Sequence, residues 1–419
     1  MNTFGDGRDW FFEKRFGVFL HFGLYSIEGW HEQEQQRRCI PRAEYEKLIH
    51  RFNPKGFDAD AILDLAESVG MEYVCLTTKH HDGFCLWDTA YTGYNVMNTP
   101  YGKDIVRQLA DACHRRSFPL GLYYSIVDWH HRNYPGEGRS HELQNPEPGD
   151  APDLYRYLAY LKNQVRELCE NYGPVHHFFW DMNNVPKFED PNVNGMLRSL
   201  QPDMVINDQG FDEGDFGGPE REYEEEQTHR LLRFNRPTEA CNSVGTQSWG
   251  YRRDEDYYSA RFLMQSIDEI MAKGGNYLLN AGPDHNGCIP EPALALLRKI
   301  GDWYSRVKEA FCGCEPASEL TGNRDVLITR KGTTLYVHIA RLPKSEAVVL
   351  NPIRRRPSKA VLLNTGDPVE TSVDLLPTLW ESGPLLRLKH LPVDNLLGEP
   401  LVIRLDFPER EKEGVLGES

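Results

Sequence analysis

The sequence predicts an α/β protein, a closed barrel of parallel strands followed by a small antiparallel β-domain. Three observations predict it. A strand–loop–helix unit recurs at least five times before residue 308, the pattern of a parallel sheet wound right-handedly. Polar and aromatic residues follow several different strands, which suits a closed barrel better than an open sheet. From about Pro316 the helical period stops, and short β-rich runs with turns replace it. A length of 419 residues fits a large barrel plus a smaller domain. We place the barrel at 1–315, the β-domain at 316–408 and a charged tail at 409–419.

The first strand, 16–23, carries His21 near its end and opens into a polar run that contains Glu32. A helix starts near Asp58, with Ile62, Leu65, Ala66 and Val69 on one face, and Gly70 closes it. The second strand, 73–78, runs into Lys79-His80-His81-Asp82-Gly83-Phe84. Helix 103–116 leads to the strand 120–125, which ends with Tyr124 and Ser125. Residues 132–152, rich in Gly, Pro and charge, read as an exposed loop. Helix 154–171 has Leu154, Leu158, Leu161, Val165 and Leu168 at helical spacing.

Then comes Val175-His176-His177-Phe178-Phe179-Trp180-Asp181, a run of β-favouring residues that ends on a carboxylate. Parallel α/β folds place catalytic groups at that end of a strand, although an Asp there also caps turns. Strand 204–208 contains Asn207 and Asp208. Helix 260–272, strand 277–280 and helix 292–308 complete the barrel. The β-domain shows strands at 326–329, 334–339, 347–350 and 401–405.

A net charge of −16 disfavours nucleic acid as a partner. Neither G-x-G-x-x-G nor G-x-x-x-x-G-K-[ST] occurs, so nucleotide binding has no support. Nine scattered cysteines make no disulfide framework. The N-terminus lacks a signal-peptide pattern and no stretch has the length of a membrane span, so a soluble cytoplasmic protein is expected. The pairs His80-His81 and His130-His131 are adjacent, and neighbours on a strand point to opposite faces, so no metal site is expected.

Gathered together, the strand ends offer His21, His80, His81, Tyr124 with Trp129, Trp180, Asp181, Asn207 and Asp208. Hydrogen-bonding groups mixed with aromatic faces suit a sugar. Glycoside cleavage usually needs two carboxyls. Asp181 is the first candidate. The second lies in or after a crowded acidic run, and Glu220 and Glu239 are the two candidates.

Several stretches resemble the α-L-fucosidases of glycoside hydrolase family 29. They are Val18-Phe19-Leu20-His21-Phe22-Gly23-Leu24-Tyr25-Ser26, Thr77 to Trp87 with its central His80-His81-Asp82-Gly83-Phe84, and Gly121-Leu122-Tyr123-Tyr124-Ser125. Phe179-Trp180-Asp181, Asn207-Asp208, Ser248-Trp249-Gly250-Tyr251 and Gly274 to Pro283 continue the match. The resemblance implies a (β/α)8-like TIM barrel with a C-terminal antiparallel β-sandwich. It implies retaining, two-step hydrolysis of a terminal fucosyl residue from a glycan or oligosaccharide, with no metal or organic cofactor. Asp181 would be the nucleophile, and the two carboxyls should lie about 5–5.5 Å apart. Glu220 matches a Gly-Asp-aromatic-x-x-Pro-Glu segment that carries the acid/base in some members, and Glu239 matches another carboxylate of the family. His21, Glu32, His80, His81 and Tyr124, with Phe179, Trp180 and Asn207 beside them, would bind the sugar.

Besides Thr238, which stands where a Trp would precede Glu239, three positions depart from the family pattern. Phe179 replaces Trp, Gln209 replaces Arg, and Gln33 replaces an aromatic residue. A glycosidase for a galactoside-like sugar and an inactive sugar-binding protein are the competing readings. The sequence leaves a homo-oligomer open.

Overall fold

The computed structural model describes residues 3–182, 184, 192–221 and 231–408. The tail 409–419, and Glu222, Glu224, Glu225 and Glu226 of the acidic run, lie outside them.

Seven parallel strands form one sheet: β1 (Phe16–Leu20), β2 (Tyr73–Lys79), β3 (Leu120–Ser125), β4 (His177–Asp181), β5 (Val205–Ile206), β6 (Glu239–Ser243) and β7 (Asn276–Asn280). Their order is β5-β4-β3-β2-β1-β7-β6. Residues 216–221 span the gap between β5 and β6. Phe216 bridges Asn207 just past β5, while Gly217 and Glu220 bridge Thr238 and Cys241. Among the described residues, seven strands and one irregular segment therefore stand where a (β/α)8-like barrel was expected. Gly218 permits the close approach, because a Cβ there would lie 1.7 Å from the Glu239 carbonyl oxygen.

Six helices of eight residues or more occur among the described residues: α1 (Ala59–Val69), α2 (Ile105–Arg116), α3 (Leu154–Asn171), α4 (Val193–Leu200), α5 (Ala260–Ala272) and α6 (Glu291–Val307). Asp58, Asp104, Asp153 and Ser259 cap four of them by accepting a backbone N–H three residues on. Ile62, Leu63, Ala66 and Val69 of α1 join Val74 and Leu76 of β2 in the main core.

Strand alternation divides the sheet's side chains. Phe19, Tyr73, Cys75, Tyr123, Phe179, Cys241 and Leu278 pack together inside the barrel. Leu20, Leu76, Tyr124 and Trp180 belong to the layer between sheet and helices. The β2–β3 register shifts between Thr77 and Lys79, a bulge that re-aims the chain just before His80.

The C-terminal part contains β8 (Glu315–Pro316), β9 (Leu327–Lys331), β10 (Thr334–Ile339), β11 (Val348–Leu350), β12 (Lys359–Leu362), β13 (Glu370–Asp374), β14 (Leu385–Lys389) and β15 (Leu401–Asp406). They form two antiparallel sheets, β12-β15-β10-β9-β8 and β11-β14-β13. Ile328, Val337 and Ile403 of one sheet share a core with Leu350, Leu386 and Leu388 of the other, which makes a sandwich. The sequence reading missed β12, β13 and β14, which are short and partly polar, as in Glu370-Thr371-Ser372-Val373-Asp374.

Candidate active site

At the C-terminal ends of the strands, a cavity of about 80 Å³ brings together His21, Glu32, His80, His81, Tyr123, Phe179, Asp181, Glu220 and Trp249. Asp181 ends β4, and its side chain is 16% exposed. The Tyr123 hydroxyl donates to Asp181 Oδ2. Burial, and then the nearby Glu220 carboxylate, push the Asp181 carboxyl up to about 7, against the pull of the Tyr123 hydroxyl and the Met182 N–H. Glu220 sits on the segment that closes the barrel, and Gln209 Nε2 donates to its Oε1 over 2.9 Å.

The bulge in β2 delivers two histidines into the cavity. His80 and His81 have ring centroids 4.2 Å apart, and Tyr123 stacks on His80 at 6°. Gly83, at φ +77, finishes the turn, and a Cβ there would meet Asp128 Oδ1 at 2.5 Å. Lys79 points away, into a buried pair with Asp128 at 2.7 Å and over the Tyr124 ring.

Hydrogen bonding fixes the protons of His81 and His21. The Ser125 hydroxyl donates to the Val127 carbonyl at 2.7 Å, so the His81 Nδ1–H must donate to Ser125 Oγ, also 2.7 Å. Burial holds His81 well below the usual histidine range, so the ring is neutral and Nε2 is an acceptor, 3.6 Å from Asp181 Oδ2. Asn280 Nδ2 donates to Ser243 Oγ and the Trp249 carbonyl, which turns Asn280 Oδ1 toward His21 Nδ1 at 2.8 Å. Burial lowers His21 to about 4, so it too is neutral with Nε2 as an acceptor.

Glu32 is buried. Its Oε2 accepts from the Ser248 hydroxyl (2.6 Å) and the Trp249 and Gly250 N–H groups (3.0 and 3.3 Å). Burial pushes its pKa up, but His31, the Ser248 hydroxyl and His21 outweigh that and leave it lowered. Trp249 stacks on His21 at 26°, and the Arg221 guanidinium lies 4.5 Å from the Trp249 ring centre. The carboxyl groups of Glu32, Asp181 and Glu220 and two imidazole nitrogens thus present acceptors. Such a site takes a ligand rich in O–H donors, and the aromatic walls take its C–H faces.

Comparison with known proteins agrees with this geometry. Residues 6–309 match the family model described as Alpha-L-fucosidase. The chain belongs to the alpha-L-fucosidase family. Human tissue alpha-L-fucosidase is 26% identical over 418 residues, covering 92% of this chain and 87% of that protein. Alpha-L-fucosidase isoenzyme 1 from Paenibacillus thiaminolyticus superposes with a TM-score of 0.82 at 31% identity, covering 96% and 100%. A family 29 alpha-L-fucosidase from Bacteroides thetaiotaomicron, described as a trapped covalent intermediate, gives a TM-score of 0.80 at 26% identity, covering 97% of each chain. The protein is a glycoside hydrolase with the (β/α)8-like barrel and β-sandwich of its family.

Within that family frame, four sequence assignments need correction. Tyr124 faces the helices and donates to Gln164 Oε1 at 2.7 Å, and its neighbour Tyr123 enters the cavity. Trp180 also faces outward and donates from Nε1 to Asn194 Oδ1 at 2.9 Å. Asn207 clamps the Trp180 backbone, accepting its N–H and donating to its carbonyl, both at 2.8 Å. Glu239 begins β6 at the opposite end of the barrel, where its oxygens accept from the Tyr73 hydroxyl (2.6 Å) and His177 Nε2 (2.9 Å).

The argument that kept paired histidines apart also fails for His80-His81, because they lie in a turn past the strand. Donor atoms of His80, His81 and Asp181 lie within 4.8 Å of one another, close enough to share a metal ion. Sequence reasoning missed Tyr123, Trp249, Gln33 and His141 as lining residues. Trp249 stood in a quoted motif. His141 lay in a loop that no periodicity could place, and it adopts a positive φ of 61°.

Proposed function

We propose that the protein is a retaining exo-α-L-fucosidase that removes terminal α-L-fucosyl residues from glycans or oligosaccharides. Asp181 is the nucleophile and Glu220 the acid/base. The observation that carries this is the pairing of a buried strand-end carboxyl with a second carboxyl on the segment closing the barrel. Asp181 Oδ attacks the anomeric carbon while Glu220 protonates the departing glycosidic oxygen. The C–O bond breaks and a glycosyl ester on Asp181 forms. Water then attacks the same carbon, Glu220 takes its proton, and the ester bond breaks to return the carboxylate. The low-polarity setting of Asp181 strengthens its interaction with the positive charge that develops on the sugar. Tyr123 holds the attacking carboxyl, and the acceptors of His21, His81 and Glu32 receive sugar hydroxyls.

Hydrolysis of 4-nitrophenyl α-L-fucoside tests the assignment. Asp181→Asn should lose about 10⁴-fold or more in kcat. Glu220→Gln should lose about 10²–10⁴-fold on natural leaving groups and regain turnover with azide, giving a fucosyl azide of retained configuration. Near-normal activity of Asp181→Asn removes the nucleophile. A wild type inactive on the fucoside but active on other chromogenic sugars moves the specificity elsewhere.

A further inference from the structure

The active-site cavity has a second chemical capacity, carried by three of its side chains. One ring nitrogen of His80, one of His81 and one carboxylate oxygen of Asp181 lie within 4.8 Å of one another. His81 Nε2 and Asp181 Oδ2 are 3.6 Å apart. Nitrogen or oxygen ligands about 2.0–2.1 Å from a tetrahedral ion lie about 3.4 Å from each other, so this pair already stands near the spacing that one shared ion imposes.

The surroundings prepare each donor. The His81 Nδ1–H donates to Ser125 Oγ at 2.7 Å, and Ser125 is itself fixed on the Val127 carbonyl at 2.7 Å. That bond sets the ring and leaves the Nε2 lone pair facing Asp181, the arrangement usual around metal-bound histidines. The Tyr123 hydroxyl orients the Asp181 carboxylate and leaves it further lone pairs. His80 is 5% exposed, and its Nδ1 has no hydrogen-bond partner among the described residues. Buried polar nitrogens normally have a partner, so this one points to a ligand. No hydrogen bond to Nδ1 opposes the small rotation that brings His80 to the same spacing as the other two.

We propose that the active site takes one divalent cation of the zinc class across His80, His81 and Asp181, and that this ion and the sugar exclude each other. Two imidazoles and a carboxylate suit zinc, copper or nickel, whereas magnesium and calcium prefer oxygen ligands throughout. Three protein ligands leave a fourth tetrahedral position open toward the cavity. The ion occupies the Asp181 lone pairs that attack the anomeric carbon and the His81 lone pair that receives a sugar hydroxyl, so it acts as a reversible inhibitor. This competition rests on the roles proposed above for Asp181 and His81. Binding of the ion rests on the donor geometry alone.

Exposed thiols at Cys39 and Cys288 also take such ions, so both are replaced by Ser in the protein used for the test. Isothermal titration of that protein with zinc sulfate in a non-chelating buffer should show one saturable site per chain, and magnesium chloride should show none. Asp181→Asn and His80→Gln, made in the same background and checked for native circular dichroism, should bind zinc roughly tenfold or more weakly. Cobalt(II) chloride should give the visible spectrum of a tetrahedral nitrogen–oxygen site. In hydrolysis of 4-nitrophenyl α-L-fucoside, zinc should raise KM with kcat unchanged, and EDTA should restore the rate. Absence of saturable zinc binding overturns the proposal, as does undiminished binding by both variants or a thiolate charge-transfer band in the cobalt spectrum. Inhibition that lowers kcat and leaves KM unchanged overturns the exclusion of sugar by ion. A protein inactive on the fucoside refutes the fucosidase reading instead, and the titrations still decide the metal site.

Discussion

Replacing Asp181 by Asn should stabilise the folded protein at alkaline pH while abolishing its activity. The native carboxyl is raised from 3.8 to about 7 by burial and by Glu220. Between those two pH values the folded state holds a proton that the unfolded state has released. Stability contributed by this group therefore falls as pH rises through the window and levels off above it. At about 1.4 kcal/mol per tenfold change in proton affinity, the full cost is about 4 kcal/mol at pH 8. At pH 5 it is under about 2 kcal/mol. Asn carries no charge, and its Oδ1, standing where Asp181 Oδ2 stands, still accepts from the Tyr123 hydroxyl. Calorimetric unfolding at pH 5 and pH 8 should show the variant more stable, by a margin about 2–3 kcal/mol larger at pH 8. Glu220→Gln removes the second cause of the shift, so it should lower the Asp181 pKa and narrow the margin. A variant less stable at pH 8, or a margin independent of pH, refutes the reasoning.

Other substitutions separate the roles of neighbouring residues. Glu239→Gln should cost about 1–3 kcal/mol in thermal unfolding, because His177 and Tyr73 lose a charged acceptor. Its kcat/KM should stay within about threefold of wild type with no azide rescue, since one pairing of buried donors does not reach the substrate. Ser125→Ala removes the group that fixes the His81 tautomer. A fall of roughly tenfold in kcat/KM with thermal stability nearly kept is expected, and an unchanged pH–rate profile together with full activity argues against the tautomer assignment. His338→Ala leaves Asp268 buried without its partner at 2.9 Å, at the junction of barrel and sandwich. Thermal unfolding should show a loss of about 3–5 kcal/mol, while KM for the aryl fucoside stays unchanged.

The barrel was legible because its elements are long and periodic. The Asp-capped helices and the strand ending on Asp181 could be read directly. The β-sandwich was read thinly, because Lys359–Leu362 and Glu370–Asp374 are short strands with little alternation. The irregular closure at 216–221 was hidden for a different reason. Its pairing depends on Gly218 lying against the Glu239 backbone, a long-range contact that no local pattern encodes.

Two of the misplaced site residues, Tyr124 and Trp180, share one cause, the parity of the strands. In a barrel, side chains two apart on a strand face the same way. If Asp181 faces inward, Phe179 must follow it and Trp180 must face the helices. β3 pairs in parallel with β4, Tyr123 opposite Phe179 and Tyr124 opposite Trp180. The inward parity of Asp181 therefore selects Tyr123 over Tyr124 without any knowledge of the cavity. The same rule puts Glu239 and Cys241 inside together, but at different heights. Glu239 pairs with Asn276 at the start of β7, whereas Cys241, two residues on, lines the active-site cavity. Parity decides which face a residue occupies, and position along the strand decides whether it can reach the sugar. Glu239 meets the first condition and fails the second. Glu220 satisfies both through an irregular segment to which neither rule applies.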